Sequence, residues 1–249
     1  MAFVQLHWFS QILRKQTTTS ILLPDTGAPP FPVYYLLHGL SDDHTSWMRH
    51  TRIHDYVTPL PLLVVMPDGG RSYYTNHATG PQWATHIAEE LPAYIERNFP
   101  AQTTRQGRCI GGLSMGGYGA MRLALAYPDR YISANSHSGA LMGPSPAFGT
   151  LSVDEHRQII GPVYEGSEHD LVTLAQRASM SQSMPKLRID CGVEDFRLED
   201  NRRFHQALRG LNIDHEYQEF PGNHNWDYWD IHVREALAFH ARVLGIGSA

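Results

Sequence analysis

The chain is poor in cysteine: Cys109 and Cys191 are the only two among 249 residues. Two cysteines do not make a disulfide framework. Both fall near the ends of expected strands. Buried free thiols in a reducing compartment are the plainer reading than a pair of neighbours in a sheet. There is also no continuous apolar span of membrane length. The opening run from Met1 to Trp8 alternates, and does not have the basic head and apolar stretch of a secretory signal. Basic residues are in no excess: 20 Lys and Arg face 25 Asp and Glu, for a net charge of -5. The two signs are interspersed and no aromatic–basic motif stands out, so nucleic acid is not an expected partner. The 15 histidines are scattered without a Cys/His ligand pattern, so no metal is expected. These absences leave a cytoplasmic enzyme, without membrane attachment, as the default.

What the chain does have is core material. Hydrophobic residues make up 42% and charged residues 18%, which excludes general disorder. The length fits one α/β domain over 1–249. Residues 2–9 and 17–23 read as two strands joined by a polar turn. Pro32–His38 and Leu62–Met66 are short continuous apolar runs, the mark of buried parallel strands. A short helix is expected within 44–57. Residues 82–98 carry large residues near helical spacing, with Pro92 expected to kink the helix. Further strands are expected at 106–110, 130–136, 187–191 and 214–220, the last at an edge. Helices are expected at 118–127, 196–210 and 227–244. The segment 141–181 has no clean period and reads as an insertion with short helices that covers an active site. Alternation of strands and helices implies a mainly parallel sheet with helices on both faces, and an antiparallel pair at its start.

Within this frame Gly112-Leu113-Ser114-Met115-Gly116 is a G-x-S-x-G pentapeptide between a strand and a helix. That is the context of a nucleophile elbow, in which a serine hydroxyl is pushed out on a strained turn. Small residues on either side let strand and helix approach closely. The bland alternative is a serine that merely caps a helix. In an α/β-hydrolase the acid and then the histidine follow the serine along the chain. Asp195 stands just beyond the expected strand at 187–191, where ligand groups of open α/β sheets gather. Glu194 is its near rival. Asp190 lies inside the strand and is less suited to face a site. Asp195 also reads as an N-cap. His224 follows the edge strand in a loop before the last helix, whereas His232 and His240 fall inside that helix, as surface or packing residues. An oxyanion hole needs two backbone N–H donors. Met115 supplies one, and Leu40, after His38-Gly39 at a strand end, supplies the other.

The motifs Leu36-Leu37-His38-Gly39-Leu40-Ser41, Val65–Asn76, Gly112–Ala120 and Cys191–Phe196 together resemble the bacterial tributyrin-esterase family. That family lies within the esterase D group, with the S-formylglutathione hydrolases, feruloyl and acetylxylan esterases and mycolyltransferases. The resemblance covers most of the chain and least of 141–181. It implies an α/β-hydrolase fold, a cap-like insertion, and hydrolysis of short-chain acyl esters by Ser114, His224 and Asp195 without cofactor. It also makes 68–76 a pocket wall. Gly39, Tyr73, Tyr74 and Trp226 are the candidate substrate contacts, although Trp226, like Trp229, is expected first to pack its loop. Exposed Tyr73, Tyr74 and Trp47 would suit a sugar or a phenolic ring. The alternatives are a thioesterase acting on S-formylglutathione, an acetyl or feruloyl esterase acting on acylated sugars, and a non-catalytic binding protein. The physiological ester and any homo-oligomer are not legible.

Overall fold

The computed structural model describes residues 1–145 and 151–247. Its strands form one eight-stranded sheet, in the order β1-β2-β4-β3-β5-β6-β7-β8. β1 (Ala2–Ser10) and β2 (Lys15–Leu23) are an antiparallel hairpin, and β2 also runs antiparallel to β4. From β4 onward every neighbouring pair is parallel. These strands are β3 (Val33–Leu37), β4 (Leu63–Pro67), β5 (Arg108–Leu113), β6 (Ser133–His137), β7 (Lys186–Gly192) and β8 (His215–Phe220). This is the α/β-hydrolase architecture.

The apolar runs of β3 and β4 are explained by burial on both faces, because successive side chains point to opposite sides of a strand. Val33, Tyr35 and Leu37 enter one core with Leu63 and Val65. Tyr34 and Leu36 enter the other, with Val64 and Met66. Helices α1 (Ser46–His50), α2 (Ile53–Val57) and α9 (Trp226–Leu244) close the second core. The first is closed by α3 (Trp83–Thr85), α4 (Leu91–Asn98), α5 (Met115–Ala126), α6 (Val153–Ile160), α7 (Leu171–Ser179) and α8 (Leu198–Gly210).

Two details differ from the sequence expectation. The helix expected within 44–57 is two helices, because Thr51 is extended and ends α1. His50 and His54, four apart in sequence, therefore lie on different helices. His50 stacks on Trp226, while His54 sits beside Asp55. Before Pro92 the helix widens into a π-helical turn, His86–Glu90, rather than simply kinking. Pro92 has no N–H to offer its preceding turn, which accommodates such a change. Cys109 and Cys191 are buried and free, in line with the sequence reading, and β6 separates their strands. Burial holds both thiols well above their ordinary range.

The crossing of β5 into α5 sets the position of Ser114. Ser114 has φ 50° and ψ −113°, a conformation costly for any residue with a side chain. Gly112 and Gly116 make it possible. A Cβ on Gly112 would lie 2.6 Å from the Leu37 carbonyl oxygen, and one on Gly116 would lie 2.5 and 2.6 Å from the Leu37 and His38 oxygens. These contacts are with backbone, which has little room to give. Gly116→Ala is therefore expected to cost about 2 kcal/mol, lowering the melting temperature by roughly 4–8 °C. It should also displace the β3–Leu40 turn. A thermal melt with an activity assay on the same sample checks both.

Candidate functional site

Ser114, Asp195 and His224 come from three separate loops and meet at the carboxyl ends of the parallel strands. The Ser114 Oγ lies 3.0 Å from His224 Nε2. His224 Nδ1 lies 2.9 and 3.0 Å from the two Asp195 oxygens. An ionised carboxylate only accepts, so the imidazole proton belongs on Nδ1 and Nε2 is left to accept from the serine hydroxyl. The Asp195 carboxylate is buried and also accepts from the Arg197 amide at 2.7 Å. Glu194 is directed elsewhere: its carboxylate accepts from the Gly222 amide at 2.6 Å, while its own N–H bonds the Gly222 carbonyl. The rival acid thus ties the histidine loop to the acid loop without touching His224.

A second histidine–carboxylate pair lies buried beneath this one. Both Asp190 oxygens stand 2.9 Å from His137 Nδ1, and Tyr228 donates its hydroxyl to the same carboxylate at 3.0 Å. The other side of His137 faces the Asn135 amide at 3.0 Å. Among the described residues, no serine or cysteine side chain is hydrogen-bonded to this pair. Its Tyr228 bond instead fixes the first turn of α9, next to the His224 loop. His240 is likewise buried, bonded to Ser133 and Asn135, and His232 stacks on Phe220. Both are packing residues.

The histidine is held by rings. Phe196 lies 4.4 Å from His224 between centroids and Trp229 lies 5.0 Å away. Trp226 packs edge-on to Trp47 and Trp229. Phe196, Trp226 and Trp229 also line a cleft of about 280 Å³ that contains Ser114 and His224. Gly39, Leu40, Tyr73 and Arg197 are among its other walls. The loop at 68–76 therefore contributes to the wall through Tyr73. Among the described residues, none of the insertion lines the cleft; residues 146–150 of it lie outside the described set.

Tyr73, Tyr74 and Trp47 are not exposed, contrary to expectation: each is 2% exposed or less. Tyr73 and Tyr74 both have positive φ, a tight turn that folds their rings inward. Tyr74 then donates its hydroxyl to the His38 carbonyl at 3.0 Å and does not line the cleft. Trp47 donates to the Leu37 carbonyl at 3.1 Å. These two rings support the β3 turn from beneath; they are not a sugar platform.

The turn after β3 is built with care. Asp42 accepts from the Gly39 amide at 3.1 Å, and His38 bridges between Gly39 and Gly69. Nothing among the described residues accepts from the Leu40 amide. The Met115 amide opens α5, where helix N–H groups lack intrahelical partners and the helix dipole favours negative charge. Sequence reasoning missed Asp42, Phe196 and Arg197 as lining residues. Asp42 was within reach, since Asp after a glycine turn is a common local acceptor. Arg197 carried no pattern of its own. Among the described residues no cluster of three or more metal-ligating side chains occurs, and no helix is long and apolar enough to cross a membrane.

Residues 10–240 match the model of the esterase family described as "Putative esterase". The chain is 28% identical to an acetyl esterase of Caldicellulosiruptor saccharolyticus, covering 98% of this chain and 99% of that one. It is 32% identical to an esterase of Mycobacterium tuberculosis, over 82% of this chain and 52% of that longer protein. Among solved structures it is similar to the fluorophosphonate-binding serine hydrolase F of Staphylococcus aureus, with TM-score 0.88 and 31% identity over 96% and 98% of the two chains. An S-formylglutathione hydrolase of the same organism gives 0.85 and 31% over the same shares. The chain belongs to this esterase family. It is a carboxylic ester hydrolase of the serine esterase class, on an α/β-hydrolase fold.

Proposed function

We propose that the chain hydrolyses short-chain acyl esters through a covalent intermediate on Ser114. The observation that carries this reading is the continuous contact from Ser114 Oγ through the His224 ring to Asp195, each step 3.0 Å or less, on a serine with positive φ. In the first half-reaction Ser114 Oγ attacks the acyl carbonyl carbon and its proton passes to His224 Nε2. Asp195 holds the ring and stabilises its cationic form. The carbonyl oxygen becomes an oxyanion held by the Leu40 and Met115 amides, donors of a kind whose single loss typically costs roughly a hundredfold or more in turnover. Collapse breaks the ester bond, and His224 returns the proton to the leaving alcohol. Water then attacks the acyl carbon, giving a proton to His224. The second collapse releases the acid and restores the Ser114 hydroxyl. No cofactor takes part.

Gly39, Tyr73 and Trp226 then face substrate from the cleft walls. The cleft volume and the acetyl esterase relative both favour small acyl groups. Along a p-nitrophenyl ester series, kcat/KM is expected to be highest from acetate to butyrate and to fall at least about tenfold by C8, since an acyl chain too long for the cleft seats its carbonyl only by displacing packed wall side chains, at about 1–3 kcal/mol. A flat profile to C12 contradicts the short-chain assignment. The reading also takes the chain as one domain with 141–181 inserted beside the site, acting in the cytoplasm on small esters, with no macromolecular partner.

A second reading is favoured by the S-formylglutathione hydrolase neighbour. The same mechanism would then cleave a thioester. A kcat/KM for S-formylglutathione far above that for p-nitrophenyl acetate selects it; the reverse selects the simple ester.

A further inference from the structure

Two turns beyond Ser114, α5 carries a buried cation that hydrolysis does not use. Arg122 is 2% exposed. One turn earlier on the same face, Tyr118 donates its hydroxyl to the His169 carbonyl at 2.8 Å. Arg122 Nη2 in turn lies 3.2 Å from the Glu168 carboxylate. Residues 168 and 169 of the insertion are thus laid directly over Arg122. The loop between β4 and α3 joins from the side. There the Ala78 amide donates to the Gln158 carbonyl at 3.3 Å, and the Thr75 hydroxyl to the Ile159 carbonyl at 3.1 Å.

Where these pieces meet, several nitrogens are buried without a hydrogen-bond partner. They are Arg122 Nε and Nη1, His169 Nδ1 and His77 Nε2. Arginine nitrogens can only donate, and the neutral His169 ring can present an N–H at Nδ1, whereas His77 gives its N–H to the Ser72 carbonyl and keeps Nε2 as an acceptor. Burial, with the Arg122 charge beside it, pushes the His169 ring down to about 4, so it is neutral at physiological pH. The carboxylate hydrogen-bonded to Arg122 is Glu168, whose side chain is 67% exposed and meets only Nη2. Asp170 also acts on the neighbouring Tyr118 and Tyr164 rings, but its oxygens accept from the Gly166 and Val172 amides and the Thr173 hydroxyl. A buried guanidinium with unmet N–H groups and a solvent-screened counter-charge is strongly unfavourable. Water would satisfy the donors but not the charge. A small anion satisfies both.

We propose that Arg122 and His169 bind a small monovalent inorganic anion, of the size and charge of chloride. The bound ion pins residues 168–170 of the insertion to the helix that begins at the elbow. The site is separate from the cleft, since eight residues of helix set it about 12 Å along α5 from Ser114.

The test uses bromide and chloride, with readouts independent of turnover. Wild-type crystals grown with bromide as the halide are expected to show one anomalous peak within hydrogen-bond reach of Arg122 Nε and Nη1. Thermal melts at constant ionic strength, exchanging gluconate for chloride, should show a saturable rise, roughly 5 °C once chloride is near a hundred times its Kd. Arg122→Gln should abolish the rise and Arg122→Lys should retain part of it. If either variant fails to fold, the two wild-type measurements still decide. Water-like density with no anomalous signal, a rise that never saturates, or an equal rise in Arg122→Gln would each overturn the site.

Discussion

Ser114→Ala is expected to lower p-nitrophenyl acetate turnover by at least roughly 10⁴-fold and to abolish fluorophosphonate labelling, with the melting temperature nearly unchanged. The size follows from the mechanism: without Oγ there is no attacking atom, and only the oxyanion donors and binding remain. The unchanged stability follows from the backbone. Ser114 is held at φ 50° by the packing of Gly112 and Gly116 against the Leu37 and His38 carbonyls, not by its hydroxyl. Alanine keeps the same Cβ and the same strain. The variant loses one hydrogen bond at a partly exposed position, which is worth about 1 kcal/mol at most. Turnover and labelling measured beside a thermal melt separate loss of chemistry from loss of fold. Unchanged turnover in a folded variant would remove Ser114 from the reaction.

Asp195→Asn carries the second largest effect, a fall of roughly 10³–10⁴-fold in kcat. An amide side chain can donate to His224 Nδ1, which turns the ring to the tautomer with its proton on Nε2. The ring then cannot accept from Ser114. The cationic ring formed during attack also loses its counter-charge. Glu194→Gln is the paired control. Its carboxylate bonds the Gly222 amide and not His224, so turnover should stay near wild type. Equal losses in the two variants would place the acid function on neither residue alone.

The contrast between these two carboxylates also marks what a linear sequence can convey. Neighbours at 194 and 195 are alike in charge and almost alike in reach. Position beyond a strand favoured Asp195, but only the path of the loop at Gly222 separates them. The elbow was legible because its glycines answer a local demand, the close approach of β5, α5 and the β3 carbonyls. The sheet was legible because strands covered on both faces read as apolar runs. Chain order together with a place in the loop between the edge strand and the last helix brought His224 forward from among 15 histidines.

What stayed hidden depends on direction rather than residue type. Tyr73 and Tyr74 lie in a polar, glycine-rich loop, which reads as a surface turn. Their positive φ values turn both rings inward, and no residue pattern announces that. The burial of Arg122 and Arg188 is equally silent in sequence, since an arginine within an element usually reads as a solvated face. Asp190 was set aside for lying inside a strand. Its part, with His137 and Tyr228, is to fix the start of α9 beside His224. Such ties between distant segments leave no spacing to read.

The most direct test of the central claim is the site of covalent capture. The protein is mixed with a fluorophosphonate, or with p-nitrophenyl acetate and acid-quenched before steady state, then digested and mapped by mass spectrometry. The account predicts one adduct with either reagent, on the Ser114 hydroxyl; with p-nitrophenyl acetate it forms at the rate of the burst of p-nitrophenol. An adduct on another residue, or full turnover with Ser114 unmodified at every quench time and no burst, would contradict it.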